Sequence, residues 1–188
     1  GDLFPISLGY IAASLAGRNI DSVICEIDTV TSVTDRQIAA FILKFKPAVV
    51  GLAVYQVNIR LAVQLAKLVK KCDPSIVVVL GGPQATFMPI EALFQMPAVD
   101  VIIRGEGETV LPDLVNCLHQ QGDITEVKGI AFRAEDGVYE TEPRPFVRDL
   151  DEFPSPYQTG VFRWRDHTGA AMLTSRGCTF ACGFCYTP

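Results

Sequence analysis

Hydrophobic positions along this chain switch repeatedly between two periods, and the switching lays out its elements. Leu8, Ile11, Ala12 and Leu15 recur at helical spacing after a short opening loop, so an amphipathic helix is expected up to about Gly17. Ser22 to Ile27 reads as a strand ending in Asp28. Thr34-Asp35-Arg36-Gln37 has the Thr-x-x-Gln form in which hydroxyl and amide side chains satisfy the free N–H groups of a helix start. Ile38, Phe41, Ile42 and Phe45 then share one face, and Pro47 ends the helix. Ala48 to Tyr55 is nearly all apolar, as a strand covered on both faces must be. Asn58 stands where a cap can begin a helix bearing Leu61, Leu65, Leu68 and Val69, which Asp73-Pro74 stops.

Ile76 to Leu80 is another continuous apolar strand, closed by Gly81-Gly82-Pro83. A short helix around Ile90, Leu93 and Phe94 follows, then the strand Val99 to Ile103. A helix starting at Gly105-Glu106-Gly107-Glu108 presents Leu111, Leu114, Val115 and Leu118. Strands alternating with helices at this rhythm predict an α/β fold, a Rossmann-like (flavodoxin-like) parallel sheet with helices on both faces. Gly129 to Phe132 and Val138 to Thr141 then read as a hairpin turning at Asp136-Gly137. Pro143, Pro145, Pro154 and Pro156 mark a stiff connector, and Ala170 to Thr174 is expected as a strand leading into a cysteine-rich loop.

In a flavodoxin-like strand order of 2-1-3-4-5 the first strand is central. No strand precedes the first helix here, so a gap is expected between the strands at Ser22 and Ala48, and the chain reads as a segment of a longer protein.

Charge narrows the partners. Sixteen Lys and Arg against 21 Asp and Glu give a net charge of -5, which offers no footprint for nucleic acid or an anionic membrane. No apolar run approaches the length of a membrane span, and the start lacks the order of a signal peptide, so a cytoplasmic protein is expected.

Three of the six cysteines, Cys178, Cys182 and Cys185, form a C-x3-C-x2-C pattern. That spacing lets a short loop wrap three thiolates around one side of an iron–sulfur cube, leaving one iron open to a small chelating molecule. Structural zinc is the alternative, but it needs a fourth ligand, and neither His119 nor His167 stands at a finger-like spacing. Disulfide pairing would leave one thiol over. Cys25, Cys72 and Cys117 are scattered and read as small buried hydrophobes.

Ligands of open α/β sheets bind beyond the carboxyl ends of the strands. Three loops fall there: Tyr55-Gln56-Val57-Asn58, Gly81-Gly82-Pro83-Gln84-Ala85-Thr86 and Arg104-Gly105-Glu106-Gly107-Glu108. Their glycines either admit a large flat or anionic ligand close to the backbone or merely make tight turns.

The triplet, preceded by Ser175-Arg176-Gly177 and carrying Phe184 just before its third cysteine, resembles the radical S-adenosylmethionine enzymes. The resemblance implies a [4Fe-4S] cluster on Cys178, Cys182 and Cys185, its open iron chelated by S-adenosylmethionine, with Phe184 near the adenine. Leu8-Gly9-Tyr10-Ile11-Ala12, the Gly81–Thr86 loop, and Val99-Asp100 leading to Gly105-Glu106-Gly107-Glu108 resemble the cobalamin-dependent branch of that family across essentially the whole chain. This implies a cobalamin-binding domain over residues 1–125, a hairpin and linker over 126–168, and the start of a partial (β/α) barrel over 169–188. Tyr55, Gln56, Gly81, Gly82, Gln84, Gly105, Glu106 and Gly107 would face the corrin or its nucleotide tail. Gln84 stands where the family often has His, and no Asp-x-His-x-x-Gly motif is present, so no protein histidine is expected on cobalt.

The implied reaction is methylation of an unactivated carbon. A radical generated from S-adenosylmethionine abstracts hydrogen, and methylcobalamin supplies the methyl group. The implied partners are a small-molecule or peptide substrate and a flavodoxin- or ferredoxin-type electron donor. Ring formation of the anaerobic cyclase kind is an alternative outcome of the same architecture. A cobalamin-binding or sensing module with a non-catalytic metal loop, and a relative of the tRNA methylthiotransferases, are the rival readings. Arg163-Trp164-Arg165 reads as a solvated linker face.

Overall fold

The structure is a computed structural model that describes residues 5–27, 33–163, 169–180, 182, 183 and 185. The chain divides into two compact units, Cys25–Phe146 and Gly1–Ile24 with Val147–Pro188.

The larger unit is built on five strands in spatial order β1-β2-β3-β4-β5, namely Val49–Ala53, Val77–Gly81, Val101–Ile103, Ile130–Ala134 and Gly137–Glu140. The first three are parallel, with Val49 opposite Val77 and Val79 opposite Val101. β4 is antiparallel to β3 and β5 antiparallel to β4, so the sheet is mixed and the hairpin extends it instead of forming a separate appendage. The flavodoxin-like class and the helices on both faces stand as expected.

Successive residues of β2 serve opposite faces, as the pleat dictates. Val78 and Leu80 join Leu65, Ala66 and Val69 of α3 (Ile59–Cys72) and Ile38 and Ile42 of α2 (Asp35–Leu43) in one core. Val79 joins Val101, Ile103, Ile130 and Phe132 against Val110 and Leu114 of α5 (Gly107–His119) in the other. Full burial of residues such as Leu65, Leu80, Ile102 and Leu114 stabilises by about 1.5–3 kcal/mol each.

α2 starts with the capping box its sequence predicts: the Thr34 hydroxyl accepts from the Gln37 N–H while Gln37 Oε1 accepts from the Thr34 N–H at 2.9 Å. It ends at Leu43, and Lys46 takes a left-handed φ of 48° before β1. Only part of the expected face of α2 is covered, because Phe41 and Phe45 are exposed and stack edge-on at 5.3 Å. The hairpin turns one residue earlier than the Asp136-Gly137 signal indicates. Glu135 and Asp136 occupy the turn, Ala134 pairs with Gly137, and neither turn residue has the positive φ that places glycine inside a tight turn.

Two expected strands are absent among the described residues. Ser22 to Ile27 and Ala170 to Thr174 carry the right composition but no partner ladder, and a strand exists only through its pairing. β1 therefore ends the described sheet on its side. Asp28 lies outside the described residues. Cys25 and Cys117 are half-buried, whereas Cys72, the last residue of α3, is exposed. No helix among the described residues is long and apolar enough to cross a membrane.

In the smaller unit, α1 (Ile6–Ala16) buries Gly9, Ala12, Ala13, Ser14 and Leu15. The tip of the Phe162 ring lies where a β-carbon on Gly9 would stand, at 2.2 Å, so any larger residue there would have to displace that ring.

Candidate functional site

All three loops expected to meet a ligand lie at the carboxyl ends of the parallel strands, and the structure laces them together. β1 leads into Val54, which is fully buried; its N–H donates to the Gly81 carbonyl at 2.7 Å, and its carbonyl accepts from the Gln84 N–H at 3.2 Å. Asn58 shapes the first loop from inside. Its Oδ1 accepts from the Tyr55 N–H at 2.7 Å and its Nδ2 donates to the Ala53 carbonyl at 3.0 Å, so the side chain folds the loop rather than capping α3. Tyr55, Gln56 and Val57 are left exposed, Val57 almost completely at 95%.

The second loop begins at Gly82, whose φ of 98° and ψ of -178° belong to a region that only glycine occupies readily. The turn feeds a single helical turn, α4 (Pro83–Thr86), with proline at its first position, where the missing N–H costs nothing. A β-carbon added at Gly81 would meet nothing within 4 Å, so the backbone there borders open space.

Thr86 couples the second loop to the third. Its hydroxyl donates to the Gly82 carbonyl at 3.1 Å and accepts from the Gly105 N–H at 3.2 Å. Arg104 adds a second tie: Nη1 lies 2.8 Å from the Thr86 carbonyl and 2.5 Å from that of Met88, and Nε lies 2.6 Å from Glu140 Oε1 on β5. Gly105 turns with a φ of 80°, with the exposed ring of Phe146 beside it, and α5 begins at Gly107.

Of the expected residues, Tyr55, Gln56, Gly81, Gly82, Gln84, Gly105, Glu106 and Gly107 therefore all fall on one edge of one sheet. Asn58, Thr86 and Arg104 belong to those three loops without having been expected to face the ligand, and Phe146, outside the loops, lies beside Gly105 at the same edge. Asn58 and Thr86 were legible only as a helix cap and a loop member, because their bonds reach backbone that the sequence does not place.

The cysteine loop lies in the smaller unit. Cys178, Cys182 and Cys185 are exposed and form no disulfide. The Phe180 N–H donates to Cys178 Sγ at 3.5 Å and the Cys185 N–H to the Cys182 carbonyl at 2.9 Å, so the segment is already turned. Among the described residues no three His, Cys, Asp or Glu side chains are gathered closely enough to hold a metal. Phe184 lies outside the described residues, as do His167, Trp164 and Arg165. The approach to the loop is fixed by the connector: the Tyr157 hydroxyl donates to the Ala171 carbonyl at 2.8 Å and accepts from the Ala171 N–H at 3.1 Å. The Arg176 guanidinium sits 4.3 Å from the centroid of the Phe153 ring, a cation–π contact.

The family profile described as the B12 binding domain matches residues 1–115. The chain is 33% identical to the anaerobic magnesium-protoporphyrin IX monomethyl ester cyclase of Rubrivivax gelatinosus over 98% of its own length and 35% of that protein's. It is 29% identical to an uncharacterised methyltransferase of Pyrococcus horikoshii, over 96% of this chain and 40% of that one. A solved structure of the cobalamin-dependent S-adenosylmethionine radical enzyme OxsB, with aqua-cobalamin and S-adenosylmethionine bound, matches with a TM-score of 0.75 and 25% identity, covering 97% of this chain and 26% of that one. The chain thus spans two fifths or less of the length of each of these proteins.

Proposed function

Since this chain belongs to the B12-binding domain family, we propose that it is the cobalamin-holding part, with the cluster loop, of a radical S-adenosylmethionine enzyme that methylates an unactivated carbon. One observation carries the reading: a B12 binding domain and a C-x3-C-x2-C triplet occur in a single chain, in that order.

The carboxyl edge fits a corrinoid. Open space beside Gly81 and the glycine-only turn at Gly82 let backbone approach a broad flat ring, and exposed Tyr55 and Val57 offer it apolar surface. In this reading Tyr55, Gln56, Gly81, Gly82, Gln84, Gly105, Glu106 and Gly107 face the corrin or its nucleotide tail. Cys178, Cys182 and Cys185 supply the soft thiolate donors of a [4Fe-4S] cluster, and gathering them around it is coupled to metal binding. Phe184 stands next to S-adenosylmethionine.

When bound, the corrinoid supplies a methyl-carrying cobalt, and the cluster with S-adenosylmethionine supplies radical chemistry. The chain's own contribution is positional: Asn58 shapes the first loop, and Thr86 and Arg104 hold the second and third in one arrangement. Gln84 at the glycine loop places no imidazole on the metal. The domain division proposed is 1–125 for the corrinoid, 126–168 for hairpin and linker, and 169–188 for the start of the barrel. A cytoplasmic enzyme served by a flavodoxin- or ferredoxin-type electron donor and acting on a small molecule or peptide completes the reading.

A second reading, ring formation in place of methyl transfer, is favoured by the 33% identity to the cyclase. Anaerobically reconstituted full-length protein is expected to hold about four irons per chain and to take up hydroxocobalamin. Cys182→Ala is expected to lose the iron and keep the corrinoid. Zinc without iron would overturn the enzyme reading in favour of a binding or sensing module. Transfer of the labelled methyl group of S-adenosylmethionine to product separates methylation from cyclisation.

A further inference from the structure

The four-residue helix α4 cannot hold itself in place. A single turn fixes several backbone dihedrals for one hydrogen bond, and its terminal carbonyls have no partners within the helix. Its conformation is imposed from outside, by the bonds of Gln84 to Val54 and of Thr86 to Gly105 at its start and side and by Arg104 at its carboxyl end. The Arg104 N–H donates to the Gly129 carbonyl at 2.8 Å, at the entrance to β4. Its guanidinium Nη1 faces the carbonyls of Ala85 at 3.4 Å, Thr86 at 2.8 Å and Met88 at 2.5 Å, which gather at the carboxyl end of α4, where a cation is favoured. Its Nε lies 2.6 Å from Glu140. Arg104 is 18% exposed and Glu140 45%.

Neutral carbonyls alone leave this half-buried charge uncompensated, so Glu140 completes the set. Glu140 belongs to β5 and stands opposite Ala131 of β4. One guanidinium therefore ties the glycine loop after β2 to the end of β3 and to the antiparallel hairpin. This hairpin comes after the three parallel strands in sequence and contributes none of the residues expected at the ligand.

We propose that Arg104 and Glu140 are positioning residues for cobalamin: the hairpin, through this ion pair, holds Gly82–Thr86 in the arrangement that receives the corrinoid. The proposal rests on the reading that this sheet edge binds cobalamin. Arg104 acts through carbonyls of the loop. The contact with Glu140 is an ion pair and not a hydrogen bond of Nε, and lysine at that position keeps the charge but cannot lay a planar guanidinium against the α4 carbonyls and the Glu140 carboxylate together.

The test uses full-length protein, hydroxocobalamin as the probe, and four forms: unmodified, Glu140→Gln, Glu140→Asp and Arg104→Lys. Because the pair is partly exposed, Glu140→Gln is expected to weaken hydroxocobalamin binding about 2- to 5-fold. Arg104→Lys, which loses charge-assisted hydrogen bonds, is expected to weaken it about 10-fold or more. Glu140→Asp, retaining the charge, recovers part of the affinity that Gln loses. In the ligand-free protein, hydrogen exchange at Gln84 to Met88 rises in Glu140→Gln while Val78 to Leu80 stay protected.

Unmodified protein that binds hydroxocobalamin, with variants that bind it equally well, overturns the proposal alone. Exchange rising equally through β1 to β3 also overturns it, since the pair would then only stabilise the sheet. Unmodified protein that takes up no hydroxocobalamin overturns the functional reading, and this proposal with it.

Discussion

Two adjacent glycines should respond to the same substitution in opposite ways. At Gly82 the backbone has a φ of 98°, and an added β-carbon would stand 3.0 Å from the Val54 carbonyl oxygen and 3.3 Å from its nitrogen. Val54 cannot yield easily, because it is fully buried and both its N–H and its carbonyl are engaged, with Gly81 and Gln84. Placing alanine at Gly82 costs about 1–3 kcal/mol of backbone strain. Giving up a hydrogen bond of Val54 adds about 1 kcal/mol, for a sum of about 2–4 kcal/mol.

In a chain of 188 residues each kcal/mol moves the melting temperature by about 2–4 °C, so Gly82→Ala should melt about 5–15 °C lower. At Gly81 an added β-carbon meets nothing within 4 Å and φ is not positive. Gly81→Ala should leave the melt unchanged or raise it slightly, since alanine restricts the unfolded chain by about 0.4–1 kcal/mol. The methyl group, however, occupies space next to the proposed corrinoid, so hydroxocobalamin affinity should fall. Thermal melts and hydroxocobalamin titrations of both variants separate the cases. An unchanged melt for Gly82→Ala would refute the strain argument, and a Gly81→Ala melt that drops as far would refute the open space.

Thr86→Val removes a hydroxyl that serves both Gly82 and Gly105; the Gly82 carbonyl keeps the backbone N–H of residue 86, and leaving the Gly105 N–H unpaired should cost about 1–3 kcal/mol. A lower urea midpoint at constant slope, restored by Thr86→Ser, is the expected result, and an unchanged midpoint counts against the tie. Leu65→Ala, at a residue 2% exposed between α3 and the sheet, should cost about 2–5 kcal/mol, whereas Phe41→Ala, 49% exposed, should leave the urea midpoint nearly where it was. Hydrogen bonds from Ser75, Thr125 and Lys128 hold the Asp73, Asp123 and Glu142 carboxyls below their ordinary range. Their contribution to stability is therefore present above about pH 4–4.5 and is lost as pH falls through the lowered values. Lys128, held up by its hydrogen bond to Glu142, and Tyr139, held up by its hydrogen bond to Asp136, work at the other end: their contribution is complete below their ordinary pKa and fades at still higher pH. Denaturant midpoints measured across pH should be lower at pH 3 than at pH 5, and a rise on acidification would contradict the sign.

The parallel part of the fold was legible because each of its signals is local. Thr34 and Gln37 stand three residues apart and cap α2 without outside help, and the apolar run of β2 reports burial on both faces directly, whereas the equally apolar β1 ends the described sheet with only Val50 buried. Pairing is not local. Ser22 to Ile27 has the composition of a strand, but composition does not supply the neighbour that makes one. The hairpin was recognised as a hairpin, yet nothing in Ile130–Glu140 says that its first strand will lie antiparallel to β3, since that choice depends on Val101 and Ile103 finding Phe132 and Ile130 across the sheet.

At the candidate site the same division decides what was seen. Glycines announce themselves, because the absence of a side chain has few uses and Gly82 and Gly105 sit where strands end. The residues that fix those glycines in place are ordinary polar ones whose partners are remote in sequence: Arg104 meets Glu140, and Thr86 meets Gly105. A reading confined to strand ends sees the groups that admit a ligand and misses the groups that hold them still. The Arg104–Glu140 ion pair makes the hairpin a support for the Gly82–Thr86 loop, which is where the proposed corrinoid contact would feel it. It also makes Glu140 the sharpest test of the site, being the one partner of the Arg104 guanidinium that can be changed without altering the backbone of the loop itself.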